Sequence, residues 1–355
     1  MKSFKMTATA LLVLVLLVAT SDNTGAPLAQ ASTTEAASAN IPDTQIAAQS
    51  ASSTRPLGQV QVLSGPDACG QEDCYQIEVR CPGLAESEQA TLKVSGPNDN
   101  TPQGTIMFMT GGGGTGLWER FGVDAKRVLG ELRAAGFRTV QLQWARGWLV
   151  GANEALEGQA RLACKPATVA RWVYDTLNDQ SQTPVFCVTG NSGGAAQVSY
   201  MLAQYGLGDI LSVVVPSGGP PMGRIDLGCL RDDPANRPLW YSRGSAGTID
   251  RGFGFSRNGP CARGDTSFQA QFQEASIAFG EWQYVYPHTM VWFLFGENDR
   301  SNAVAQGKAF YERVMQSGSP LVRAETVPNT PHPVPSTREG AEKIRDIMLA
   351  ECRLQ

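Results

Sequence analysis

The chain has 355 residues, 42% of them hydrophobic and 17% charged, with a net charge of −4. That is ample length for one large core, or a core with a small cap. The mildly acidic balance, with no basic run interleaved with aromatics, argues against nucleic acid as a partner.

Lys2 and Lys5 precede a continuous apolar run over 10–19. The run is shorter than the roughly 20 apolar residues a bilayer span needs, but it suits the core of a signal peptide. Ala29-Gln30-Ala31 is an A-x-A site, which predicts a signal peptide over 1–31 with cleavage before Ser32. No cysteine occurs before Cys69, so no lipoprotein or other stable membrane anchor is expected. Residues 32–56 are rich in Ala, Ser, Thr and Gln without a hydrophobic period, and they read as a flexible linker. Eight cysteines suit a secreted protein, extracellular or periplasmic. Cys229 with Cys261 and Cys69 with Cys74 are the expected pairs, and Cys187 reads as a packed thiol. With no C-x-x-C spacing and only two histidines, neither a metal nor a cofactor is expected.

From residue 57 the pattern turns β. Segments 58–63, 75–79 and 90–94 alternate as half-buried strands, whereas 105–109 is continuously apolar, as a strand covered on both faces should be. An amphipathic helix over 123–135 ends at Gly136, a strand follows over 139–144, and 167–177 is helical again. A short apolar strand then runs into Gly190-Asn191-Ser192-Gly193-Gly194, followed by a helix over 195–205. Another buried strand covers 210–215. Residues 219–287 break the rhythm, being rich in Gly, Arg, Pro and aromatics that include Trp240, Tyr241, Phe253, Phe255, Phe268, Phe272 and Trp282. Strand 289–295, helix 303–315, strand 322–327 and helix 337–351 complete the chain. Strands alternating with helices predict an α/β fold with a mostly parallel central sheet, helices on both faces and antiparallel N-terminal strands at one edge.

G-x-S-x-G between a strand and a helix places a serine on a sharp turn, with glycines where side chains would collide. A serine hydroxyl is a poor nucleophile without a base, and the base needs a group to orient it. His332 follows the last strand, in Pro328-Asn329-Thr330-Pro331-His332-Pro333, which puts it at the same carboxyl edge as Ser192. His288 precedes a strand and belongs at the opposite edge. The acid should also lie at the carboxyl edge, where strand 289–295 ends in Gly296-Glu297-Asn298-Asp299. Asp299 is the choice and Glu297 the rival; a helix N-cap is the structural alternative for Asp299. The strand ending at Met109-Thr110 runs into Gly111-Gly112-Gly113-Gly114-Thr115-Gly116, whose backbone N–H groups can approach a substrate closely. No G-K-[ST] follows, which argues against a phosphate loop.

With these residues the chain resembles the α/β-hydrolase superfamily over about 105–355. Ser192, Asp299 and His332 stand in that superfamily's order of nucleophile, acid and base. The glycine loop is similar to its H-G-G-G oxyanion motif, with Thr110 in the place of histidine. The resemblance implies an oxyanion hole at Gly112, Gly113 and Gly193, and a cap or lid at 219–287 within a hydrolase domain over 57–355. The expected activity is hydrolysis of small or polymeric carboxylic esters through an acyl-enzyme; Trp118, Trp148 and the insertion's aromatics are candidate pocket walls, with core packing the favoured reading for each. A serine peptidase and a non-catalytic binding module on the same scaffold are the alternatives.

Overall fold

The computed structural model describes residues 54–353 apart from 71, 98–101, 154, 179–184 and 257. The expected signal peptide and almost all of the linker lie outside the described residues, as do Thr183 and Pro184 at the start of the nucleophile strand.

Among the described residues nine strands form one sheet. They are β1 (Gln59–Cys69), β2 (Glu72–Arg80), β3 (Glu88–Ser95), β4 (Gly104–Met109), β5 (Phe137–Trp144), β6 (Phe186–Asn191), β7 (Val213–Ser217), β8 (Met290–Gly296) and β9 (Val322–Val327). Their order in space is β1-β2-β3-β5-β4-β6-β7-β8-β9. The first three pair antiparallel, β3 joins β5 antiparallel, and every pairing from β5 to β9 is parallel. In β2 and β3 the buried residues Ile77 and Val79, and Ala90, Leu92 and Val94, occupy alternate positions, as a sheet wetted on one side requires. β4, β6 and β7 are buried throughout.

The helices are α1 (Val123–Ala134), α2 (Gly158–Leu162), α3 (Cys164–Thr176), α4 (Gly193–Ala203), α5 (Ile225–Leu230), α6 (Arg243–Gly252), α7 (Pro260–Arg263), α8 (Gln269–Ala275), α9 (Ala303–Gln316) and α10 (Arg338–Glu351). α1 and α10 share one apolar core with Ile106, Phe108 and Cys187. α3, α4 and α9 pack into the core on the other face. α4 is buried all round, packed against β6 and β7 on one side and α3 on another.

The insertion is a set of helices, α5 to α8, where the sequence shows only a break in rhythm. Its glycines and prolines hide the helical period, yet Phe253, Phe268 and Phe272 form an aromatic cluster within it. The Tyr200 hydroxyl of α4 donates to Ala275 O at 2.5 Å and ties the insertion to the nucleophile helix. β7 begins at Val213 rather than at residue 210, since a 3₁₀ turn over Leu207–Asp209 delivers the chain to it.

Four disulfides are present: Cys69–Cys74, Cys81–Cys164, Cys187–Cys352 and Cys229–Cys261. The two pairs anticipated from sequence are among them. Cys187 is not a packed free thiol: β6 runs beside the end of α10, where Cys352 waits 165 residues further along the chain. Trp118 and Trp148 are 1% and 0% exposed, one against Phe108 and Phe121 and the other against Tyr200. They are core residues, in line with the favoured reading of the sequence.

Candidate active site

Parallel strands bring their carboxyl ends to one edge, where open α/β sheets gather their loops. Register keeps those ends level: Met109 pairs with Gly190, Gly190 with Pro216, and Gly296 with Val327. The glycine loop, Ser192, Asp299 and His332 therefore leave the sheet from β4, β6, β8 and β9 at a common rim.

Ser192 sits between β6 and α4 at φ 54° and ψ −114°, a conformation that L residues rarely adopt. The turn is tight enough to demand its glycines. A methyl group on Gly190 would lie 2.2 Å from Gly194 O, and one on Gly194 would lie 2.3 Å from Met109 O.

The three candidate side chains meet. His332 Nδ1 is 2.7 Å from Asp299 Oδ2, and His332 Nε2 is 2.8 Å from Ser192 Oγ. A carboxylate only accepts, so Nδ1–H donates to Asp299, and Nε2 of the neutral ring is left to accept from the serine hydroxyl. Burial raises the Asp299 pKa, but the bond from His332 and those from the Ser301 N–H and hydroxyl outweigh it, holding the carboxyl below its ordinary value. The Asp299 side chain is 1% exposed and the imidazole 33%, so an approaching molecule meets the ring and not the acid. The rival acid serves elsewhere. Glu297 accepts from the Asn329 N–H at 2.8 Å and braces the loop that carries His332. His288 lies just before β8, at the amino edge.

Two residues that the sequence does not single out complete the frame. Asn191 Oδ1 accepts from the Val334 N–H at 3.0 Å, and Ser217 Oγ lies 3.1 Å away from it. The residue before the nucleophile thus holds the chain two residues beyond the histidine. Ser301 donates its N–H to Asp299 Oδ1 at 2.8 Å and places its Oγ 3.4 Å from His332 Nδ1. Gly218 and Gly296 are the only sequence trace of this packing. A methyl group on Gly218 would lie 2.4 Å from His332 O, and one on Gly296 would lie 2.4 Å from both Thr330 O and Pro331 O.

The glycine loop is pinned by its carbonyls. Gly113 O and Gly114 O accept from the N–H groups of Trp148 and Trp144, and Thr115 O accepts from the Gln143 side chain. The Thr110 hydroxyl donates to Gly116 O at 2.7 Å and closes the loop on itself, an anchoring role for the residue that stands in place of histidine. The backbone N–H groups of Gly112, Gly113 and Gly193 donate to no acceptor among the described residues. Gly112 lies against Gly193, where a methyl group would come within 2.1 Å of Gly112 O, and Gly111 lies beside Ser192. Gly113 turns instead toward Gly147, 3.3 Å from where its own methyl would be. Of the three glycines expected to act together, 112 and 193 are adjacent, and 111 is closer to the serine than the motif suggested.

Two cavities flank this constellation. One of about 290 Å³ lies at the glycine loop, walled by Thr110, Gly111, Leu117 and Arg120. The other, of about 810 Å³, has Asp299 and Ser301 in its wall together with Trp240 and Tyr241. Trp240 and Tyr241 are the insertion aromatics in that wall. A third cavity of about 460 Å³, at Arg80, Glu86 and Arg146, includes none of the candidate residues.

No family model matches the sequence, and no curated protein matches it. Solved structures do resemble it. A highly thermostable carboxyl esterase from Bacillus coagulans superposes with a TM-score of 0.51 at 14% identity, over 78% of this chain and 97% of that one. Brefeldin A esterase, a bacterial homologue of human hormone sensitive lipase, gives 0.51 at 18% identity, over 83% and 81%. An acylaminoacyl peptidase from Pyrococcus horikoshii gives 0.50 at 10% identity, over 79% of this chain but 41% of its own length.

Proposed function

We propose that this chain, which has the α/β-hydrolase fold, is a secreted serine hydrolase of carboxylic esters. The observation that carries the reading is the continuous pair of hydrogen bonds linking Asp299, His332 and Ser192. Ser192 Oγ attacks the acyl carbon while His332 Nε2 takes its proton, and the imidazolium then delivers that proton to the departing alcohol. Water, deprotonated by the same nitrogen, attacks the acyl-enzyme; the acid leaves and the serine regains its hydrogen. Asp299 stays ionised, fixing the ring tautomer and stabilising the imidazolium. The unpaired N–H groups of Gly112 and Gly193 would receive the oxyanion, each donor contributing about 3–4 kcal/mol to the transition state. Four disulfides and the apolar N-terminal run support an oxidising destination outside the cytosol.

The reading is tested with a fluorophosphonate probe and short p-nitrophenyl esters. Wild-type protein is expected to be labelled and to hydrolyse them. Ser192→Ala is expected to lose labelling and at least about 10³-fold in kcat. Ester hydrolysis that persists unchanged in Ser192→Ala would overturn the assignment.

A further inference from the structure

Arg237, Arg300 and Lys308 line the 810 Å³ cavity beside Asp299 and Ser301. All three are exposed, and none has an ion-pair or hydrogen-bond partner among the described residues. Arg120, Lys126 and Arg243 are likewise exposed without such partners, but Arg237, Arg300 and Lys308 share one cavity wall. Arg127, Arg146, Arg171, Arg263 and Arg345 each hold a carboxylate within 3.1 Å. Asp299 is the sole acidic residue in the cavity wall, and its oxygens are taken by His332 and Ser301. Three cations and one carboxylate therefore line one concavity, an excess of two positive charges in a chain whose net charge is −4.

We propose that this cavity binds an anionic group on the leaving-alcohol portion of the substrate. The proposal rests on the ester-hydrolase reading and adds the substrate class to it. The departing oxygen takes its proton from His332 Nε2, so the alcohol must leave over the imidazole. The cavity begins on the far, Nδ1, side of the same ring, where Ser301 and Asp299 stand. The proposal requires an alcohol whose carboxylate or phosphate stands several bonds from the ester oxygen, so that it extends past the ring to the cavity. Trp240 and Tyr241 offer apolar surface to the linking atoms, and the volume falls in the range typical of small-molecule sites, roughly 300–1,000 Å³. The smaller cavity at the glycine loop carries a single cation, Arg120, so charge recognition is weighted to the alcohol side.

The test measures binding of 4-acetoxybenzoate and its neutral methyl ester to Ser192→Ala protein by calorimetry. The anion is expected to bind roughly tenfold more tightly at low salt, with the preference shrinking toward about 0.5 M salt. The preference should vanish in Arg237→Gln/Arg300→Gln/Lys308→Gln on the same background and fall about threefold in Arg300→Gln alone. Equal binding of the two esters, or a preference that survives the triple substitution, overturns the proposal. So does selectivity for charge on the acyl side, read with p-nitrophenyl hemisuccinate against p-nitrophenyl butyrate. Wild-type turnover of the neutral methyl ester is read separately. Its absence, with anion binding intact, would remove the ester reading and retain the anion site.

Discussion

Asp299 makes its bonds to His332 and Ser301 as a carboxylate, and its pKa lies below the ordinary value. A group whose folded pKa is depressed stabilises the native state above its unfolded pKa of about 3.9, and that stabilisation is lost as pH falls through the folded value. Asp299→Asn should therefore lower the denaturation midpoint at pH 7, with the gap to wild type closing below about pH 4. A gap that widened on acidification would contradict this account. The same substitution should reduce kcat for p-nitrophenyl esters by about 10⁴-fold, because an amide permits the wrong imidazole tautomer. Ser192, Asp299 and His332 are legible in the sequence because the alternation of strands and helices by itself puts their loops at one edge. Asn191 and Ser301 are not, since a polar residue beside a motif carries no period, and its partner lies 143 residues away in one case and 31 in the other.

Among the elements, the β6–α4 turn depends most closely on its residue types. Gly190 and Gly194 approach backbone oxygens, which cannot swing aside as a side chain can. Gly194→Ala is expected to destabilise the fold by at least about 2 kcal/mol and to abolish probe labelling. Gly247→Ala in α6 is the control, since a methyl group there meets nothing within 4 Å. It should be neutral or stabilising by up to about 1 kcal/mol, and thermal melts of the two variants compare them directly. The strands of the sheet are readable because β4, β6 and β7 are short apolar runs buried on both faces. The helices of the insertion are not. α7 spans only Pro260–Arg263, and α6 contains Gly244, Gly247 and Gly252, so propensity points away from what tertiary packing imposes.

For the whole molecule, the disulfides differ in how much unfolded chain they constrain. Cys69–Cys74 closes a loop of 5 residues at a hairpin tip, whereas Cys187–Cys352 spans 165. In the chain-entropy account, removing the second should destabilise the fold by roughly 3 kcal/mol more than removing the first. Denaturant titration of Cys69→Ala/Cys74→Ala and Cys187→Ala/Cys352→Ala measures the difference, and equal losses would count against the entropic explanation. Pairing of this kind is hidden in a sequence because it reports proximity in space. Cys81–Cys164 fastens the β2 end to the start of α3, and neither segment carries a signal pointing to the other.

The long bond also constrains the calendar of biosynthesis. When Cys187 leaves the ribosome, its partner has yet to be translated, with 165 residues still to follow. On the secreted reading proposed above, the strand presenting Ser192 would be fastened to the closing helix only once nearly the whole domain had reached an oxidising space. Formation of this bond would then govern how soon new molecules reach their fully bridged form, and an oxidase or isomerase would set that pace.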